Sequence, residues 1–231
     1  MKILIFLLIL FPALSLGATQ ISVGTGFIHQ NYNEPKLDQE TGFIPLLQVG
    51  INHTFNQLKL SATFSQSEGV IKYQGHLLFS PSIPITQEDY STINELSVRG
   101  EYASGWISPF IEGTIYHWDR QLSKYQDERY STLFVGGGVI LRYKWFSIAP
   151  SAGATIHSHI QTLGMDFPLG TKPYERIVGS VIYPLDSHWS VSTQVSYQHF
   201  GFGRSKPKYF SYEPTSFTSQ ARFGLKLNYS F

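Results

Sequence analysis

Apolar and polar side chains alternate over residues 215–231, the last residues of the chain. One parity carries Phe217, Phe223, Leu225, Leu227, Tyr229 and Phe231, and the other carries Thr218, Gln220, Arg222, Lys226, Asn228 and Ser230. Successive side chains of a β-strand point to opposite faces. A period of two therefore predicts a strand with one apolar and one polar face.

The same alternation recurs along most of the chain. It predicts strands near 19–31, 41–55, 58–65, 95–102, 107–115, 132–143, 146–157, 176–183, 189–198 and 215–231. Residues 66–79 permit two interpretations, a bulged extension of the third strand or a separate hairpin. We therefore predict about ten strands, with eight or twelve as the alternatives.

Short and long connections alternate between these strands. Turns are predicted at 56–57, 103–105, 144–145 and 186–187, and longer polar loops at 32–40, 80–91, 119–128, 161–171 and 201–214. Short turns on one side and long loops on the other are typical of transmembrane barrels. The predicted fold is all-β, an antiparallel transmembrane β-barrel formed by one domain over residues 18–231.

The amino-terminus has the pattern of a secretory signal peptide. Lys2 precedes the apolar run at 3–11, and small residues follow it. The run is shorter than the roughly 20 residues that a spanning helix needs, which argues against the alternative of a membrane anchor. We predict a signal peptide over residues 1–17, with cleavage after Gly17 or after Ala18. The chain has no cysteine, which excludes a lipoprotein anchor and disulfides.

The composition agrees with a membrane barrel. Charged residues make up 14%, below the roughly 25% of soluble domains, and aromatic residues make up 15%. A lipid-facing wall with two aromatic girdles accounts for both values, and we predict the upper girdle at 116–118 and 197–200. The net charge of +1 gives no electrostatic argument for a nucleic-acid partner, and we expect none. We also expect no cofactor.

The closing segment ends in Tyr229-Ser-Phe231. Together with the alternation and the signal peptide, it resembles the closing strand of bacterial outer-membrane β-barrels. The resemblance implies that Tyr229 and Phe231 form the signal read by the outer-membrane assembly machinery. It also implies periplasmic chaperones as partners during biogenesis, and outer-membrane lipids and lipopolysaccharide as partners of the mature protein.

Several charged residues fall on the inward parity, namely Glu95, Arg99, Glu101, Glu112, Arg142, Arg176 and Arg222. Arg99 and Glu112 lie on adjacent predicted strands, within diagonal reach across one turn. One interpretation is a selectivity surface or a catalytic carboxylate pair. The other is a salt-bridged plug, because a narrow barrel fills its bore with side chains and charges need partners there.

Two further clusters are candidates for enzymatic sites. His157, Ser158 and His159 are adjacent, whereas outer-membrane lipid A deacylases use a His-x-Ser arrangement, so the resemblance is incomplete. His157 and His159 share a face and suit a metal, but no third ligand is evident. His117 and the acidic residues of 119–128 form no recognisable version of the omptin protease site.

The sequence favours an integral outer-membrane barrel with surface-exposed loops and a structural or surface-interaction role. The first alternative is a narrow pore for ions or small solutes. Aqueous porins use roughly 16–18 strands, so a bore of about ten is tight. The second alternative is an enzyme that modifies lipid A or cleaves peptides.

Overall fold

The computed structural model describes residues 17–77, 80–123, 126–207 and 212–231. The predicted signal peptide lies outside this part of the chain, apart from Gly17. The described residues form eleven strands. Among them, no helix is long and apolar enough to cross a membrane.

All eleven strands pair antiparallel in one sheet. They are β1 (Ala18–Glu34), β2 (Asp38–Phe55), β3 (Leu58–Leu77), β4 (Ser80–Tyr102), β5 (Ile107–Ser123), β6 (Gln126–Tyr143), β7 (Phe146–Thr162), β8 (Met165–Leu169), β9 (Pro173–Pro184), β10 (Trp189–Phe202) and β11 (Ser216–Ser230). Each strand pairs with its neighbour in sequence, except that β7 pairs with both β8 and β9. The pairing of β1 with β11 closes the ring.

The wall of the barrel therefore has ten strands, because β8 and β9 follow each other along the edge of β7. β8 pairs with residues 158–162 of β7, and β9 pairs with residues 146–154. This closed antiparallel barrel confirms the predicted fold class and the strand number. It also decides between the two interpretations of residues 66–79. β3 continues through most of them and stays paired with β4, as in the extension interpretation.

The lower half of the barrel follows the predicted alternation. Leu47, Ile111, Val195 and Leu225 are exposed on the outer face, and polar residues such as Gln220 are buried inside. We use "apolar band" for this outer zone, and "lower end" for the end with turns at 56–57, 103–106, 144–145 and 185–188. An apolar outer face and a polar interior are what a lipid-facing barrel requires.

Most of the predicted long loops are wrong, because the strands continue through them. Residues 80–91 belong to β4, most of 119–128 belongs to β5 and β6, and the first connection shrinks to residues 35–37. Segment 161–171 contains a turn at 163–164 and β8, whereas 203–207 and 212–215 lie outside the named strands. A tilted strand crosses a bilayer with about 9–11 residues. β1–β7 have 17 to 23, so they rise well beyond the apolar band at the upper end.

The arrangement of polar and apolar side chains reverses where the strands leave the apolar band. Below this level the apolar side chains point outward, and above it they point inward. On β5, Ile115 is exposed outside and the next residue, Tyr116, is buried inside. Above this level Tyr116 and Trp118 point inward, whereas His117 and Asp119 point outward. The upper half therefore has a polar outer face and an apolar core, like a water-soluble protein. The prediction that Tyr116, Trp118 and Phe200 belong to a lipid-facing girdle is wrong, since all three are fully buried.

Candidate functional site

The structure brings the predicted inward charges into contact inside the barrel, from the level of Glu95 down to Glu101 and Arg142 near the lower-end turns. Arg99 donates to Glu112 at 2.7 Å, and the Arg176 guanidinium lies 4.0 Å from the same carboxylate. Arg222 pairs with Glu95 at 2.6 Å, and Arg142 pairs with Glu101. We call these seven residues the charge layer. Strand pairing explains part of it, because Arg99 on β4 lies directly opposite Glu112 on β5.

The charge layer is held by neutral donors as well as by ion pairs. Ser151 and Tyr174 both donate to Oε1 of Glu112, at 3.1 and 3.3 Å. Arg222 also donates to Gln220, whose amide nitrogen donates to Tyr116. The layer therefore continues upward into the aromatic part of the interior through hydrogen bonds.

Rings fill the interior directly above the charge layer. This aromatic layer consists of Tyr32, Tyr116, Trp118, Tyr130, Phe134, Phe167, Tyr174, Phe200 and Phe202, all of them buried. Tyr116, Phe134 and Phe200 pack edge-to-face, with ring centroids 4.8–5.7 Å apart. Trp118 stacks on Tyr130 at 5.1 Å. Such contacts favour a well-packed layer across the bore.

The aromatic layer separates two cavities in the interior. The cavity below it measures about 250 Å³, and the cavity above it about 310 Å³. Their linings share no residue. The lower cavity is lined largely by hydroxyl, amide and basic groups, and the upper one is strongly acidic.

Arg120 is the central residue of the upper interior. It donates through Nε to Glu128 at 2.8 Å, and a second nitrogen pairs with Glu40. Its guanidinium carbon also lies over the Tyr32 and Trp118 rings, 4.7 and 5.2 Å from the centroids. The two carboxylates raise the pKa of Arg120 above its already high usual value, against the opposing effect of burial. Arg120 is therefore a fixed cation that connects the aromatic layer to the acidic groups above it.

The upper cavity, which we call the acidic mouth, is bordered by Arg120 and four carboxyl groups, Glu34, Asp38, Glu128 and Glu213. Burial, reinforced by neighbouring negative charge, raises the pKa of Glu34 to about 7 and that of Glu213 to about 7. Burial also raises the pKa of Asp38, which accepts a hydrogen bond from Tyr73 at 2.8 Å.

Two more carboxyl groups lie beside the mouth and are fully buried. Burial raises the pKa of Glu40 to about 7 and that of Asp89 to about 6. Within the described residues, one oxygen of each has no hydrogen-bond partner. A buried carboxylate without a partner is costly, so this region has capacity for additional positive charge.

The other predicted candidates, His157, Ser158 and His159, do not come together in one site. The backbone of His157 has φ of 50° at a bulge where the pairing of β6 and β7 shifts, and its side chain points outward. Ser158 points inward and bonds to Thr132. His159 lies 3.5 Å from Asp166 on the exposed face. Within the described residues, no group of three or more ligands could hold a metal ion.

The closing strand places the two predicted assembly residues at the lower end. Phe231 is exposed, and its amide donates to the carbonyl of Thr19 on β1 at 2.9 Å. Tyr229 packs between the rings of Trp189 and Phe231, 4.8 and 4.9 Å away. Both rings are accessible from outside the barrel, and their role in assembly stays a prediction.

No family model matches the chain, and no curated protein matches it. Solved structures do match. The outer membrane protease OmpT from Escherichia coli is 11% identical, with a TM-score of 0.50 over 94% of this chain and 97% of that one. OprG from Pseudomonas aeruginosa is 10% identical, with a TM-score of 0.43 over 93% and 96%. Ail from Yersinia pestis is 10% identical, with a TM-score of 0.34 over 93% and 99%.

The chain has the fold of a bacterial outer-membrane β-barrel. At these identities the likeness concerns the fold alone. In this barrel, sequence reasoning missed the acidic mouth, because Glu34, Asp38, Glu128 and Glu213 all fell within predicted loops and only Glu128 was considered as a candidate site residue. The sequence did contain a signal that β5 continues into one of these predicted loops. Tyr116, Trp118, Arg120 and Leu122 continue a period of two, with polar residues between them.

Proposed function

We propose that this chain is an integral outer-membrane protein whose lumen is closed and whose acidic mouth binds a cationic ligand on the cell surface. The ligand class is a peptide or amine that presents guanidinium or ammonium groups. The observation that carries the proposal is the mouth itself, a cavity of about 310 Å³ bordered by four carboxyl groups.

The location is supported by the fold and by the outer surface. The apolar band requires lipid around the lower half, and the polar outer face of the upper half requires water. The predicted signal peptide would deliver the chain to the periplasm, where chaperones and the assembly machinery would receive it. By analogy with short periplasmic turns in such barrels, the lower end would face the periplasm and the mouth the outside.

Lipopolysaccharide would surround the upper half in this orientation. Arg204 and Lys206 lie on the connection between β10 and β11, and both are exposed. Arg204 stacks over the Tyr212 ring, 3.8 Å from the centroid, which orders part of this connection. These cations favour contact with the anionic groups of lipopolysaccharide.

The charge of the mouth fits a cationic ligand better than a neutral or anionic one. Arg120 is already engaged by Glu40 and Glu128, so Glu34, Asp38 and Glu213 are left with weaker compensation. An incoming guanidinium would pair with carboxylates that burial otherwise penalises. The ligand would therefore gain Coulomb energy while relieving repulsion among the acidic groups.

Binding of a fluorescent tetra-arginine peptide to the refolded barrel tests the proposal. The double variant Glu34→Gln with Asp38→Asn should weaken binding by at least about tenfold, because it removes two charge-assisted contacts. Asp127→Asn is the matched control, since Asp127 is exposed on the outer face near the same rim. Equal affinities in wild type and the double variant would refute the proposed site.

Cleavage of the bound peptide is a second candidate function. Glu34 and Glu213 have pKa values of about 7, which suits general acid and base catalysis at neutral pH. OmpT, which has the same fold, is a protease. Mass spectrometry of the tetra-arginine peptide after incubation distinguishes the two, because binding alone leaves the peptide intact. Cleavage that persists in the double variant would place any such activity elsewhere.

A further inference from the structure

The lower cavity carries more positive charge than its surroundings neutralise. We call this cavity of about 250 Å³ the basic vestibule. Its basic lining residues are Lys59, Arg99, Arg142, Arg176, Arg222 and Lys226. It lies below the aromatic layer, toward the lower end of the barrel, and is separate from the acidic mouth.

The carboxylates of the charge layer leave three of these six cations uncompensated. Glu95 pairs with Arg222, Glu101 pairs with Arg142, and Glu112 is shared by two arginines. No ion pair is formed by Lys59 or Lys226 within the described part of the chain. Confined like charges repel more strongly than on an open surface, so the vestibule attracts counter-ions.

Hydrogen-bond donors in the vestibule are also left without acceptors. Arg222 is 6% exposed and lines the cavity, yet its Nε has no partner among the described residues. The Nε of Arg176 is unpartnered as well. Buried donors of this kind cost free energy until an acceptor arrives. Glu95 and Glu101 also line the cavity, together with neutral donors such as Gln20, Ser22, Gln48, Asn52, Gln194 and Asn228.

We propose that the basic vestibule is a binding site for a small, soluble, multivalent oxyanion of the phosphate class. Several acceptor oxygens on one compact anion would accept hydrogen bonds from the basic side chains that line the cavity, and its charge would offset the excess of three. The size agrees, because a cavity of about 250 Å³ is smaller than the roughly 300–1,000 Å³ of sites for larger organic ligands. Lipid headgroups are excluded as the source, since the vestibule lies inside the wall.

Calorimetric titration of the full mature barrel with pyrophosphate tests this site, in a detergent that contains no phosphate and at low ionic strength. Wild type should bind with a defined stoichiometry. Lys226→Gln should weaken binding by at least about tenfold, and Lys59→Gln should do so independently in case one variant fails to fold. Lys72→Gln, on the exposed outer face of β3, is the matched control and should leave the affinity unchanged.

Two results would overturn the proposal. One is the absence of pyrophosphate binding by the folded wild type, with folding checked by the gel shift between unboiled and boiled samples. The other is equal affinity in wild type and both lysine variants, which would place the anion elsewhere. Titration with chloride at the same ionic strength should not reproduce the heat of binding measured with pyrophosphate, because a monovalent anion offsets only part of the positive charge.

Discussion

Replacing Arg120 with methionine should destabilise the upper half of the barrel in a pH-dependent way. Methionine keeps apolar contact with the Tyr32 and Trp118 rings but removes the partner of Glu40 and Glu128. Arg120 is only 3% exposed, so the carboxylates it leaves are shielded from water. Breaking a buried ion pair by removing one partner typically costs about 3–5 kcal/mol, and we expect that loss at pH 8.

The loss should be smaller at pH 5. Glu40 has a pKa of about 7 in the folded protein, and Arg120 holds that pKa down, so the variant should raise it further. A carboxyl group with a raised folded pKa stabilises the fold below its unfolded pKa, and this contribution is lost as pH rises through the folded pKa. A rise of one unit in the pKa of Glu40, from its value of about 7, therefore adds about 1 kcal/mol to the difference between pH 5 and pH 8.

Equilibrium urea unfolding in lipid vesicles, followed by tryptophan fluorescence at both pH values, measures this effect. Arg129→Met is the matched control, because Arg129 is 66% exposed and lies 3.6 Å from Asp119 on the outer face. Exposed pairs contribute no more than about 1 kcal/mol. The reasoning is refuted if Arg120→Met costs as little as the control, or if its cost is the same at pH 5 and pH 8.

Three further predictions concern the barrel as a whole. Leu225→Arg should hinder insertion into vesicles, at a cost of about 2–4 kcal/mol for an arginine on the lipid face, whereas Lys226→Ala on the inner face should insert almost normally; equal damage would contradict the assigned faces. A cysteine at Asp127 should react with an impermeant thiol reagent on intact cells and one at Ser104 should not, and the reverse result would invert the orientation. The wild-type protein should conduct little in planar bilayers because the aromatic layer fills the bore, and large, steady conductance would restore the narrow-pore alternative.

The sequence predicted the lower half of the barrel well because one physical rule governs it. With lipid outside and polar groups inside, the apolar residues of each strand always point outward and the polar residues always point inward. Leu225 and Lys226 follow this pattern. The turns at 56–57 and 144–145 were predicted for a similar reason. Asn56 and Lys144 adopt positive φ there, and each turn lies between two strongly alternating segments.

The upper half was mispredicted because the polar and apolar faces of the strands exchange sides above the apolar band. Water on the outside permits polar residues such as Glu68 and Lys72 there, and the core takes Ile71 and Tyr73. Segments polar on average were therefore interpreted as loops. The adjacent apolar pair Ile115-Tyr116, one outside and one inside, marks the change. Such a pair is visible in the sequence, but its meaning depends on the height of the membrane boundary.

For the candidate sites too, the sequence predicted contacts between neighbouring strands but not contacts between distant ones. Arg99 and Glu112 were placed together correctly in the sequence because a single turn joins their strands. The acidic mouth gathers Glu34 from β1, Glu128 from β6 and Glu213 from the last connection, and closure of the barrel is what brings them together. No local pattern in a single sequence carries that long-range information.

Proton release on ligand binding tests the central claim, that the acidic mouth binds cations, most directly. Calorimetric titration with tetra-arginine peptide at pH 7, in two buffers of different ionisation enthalpy, counts the protons exchanged. The pKa values of about 7 for Glu34 and Glu213 mean that a bound cation should lower both and release protons. The account predicts measurable proton release at pH 7 and tighter binding at pH 8 than at pH 5. Binding that is independent of pH and releases no protons would contradict it.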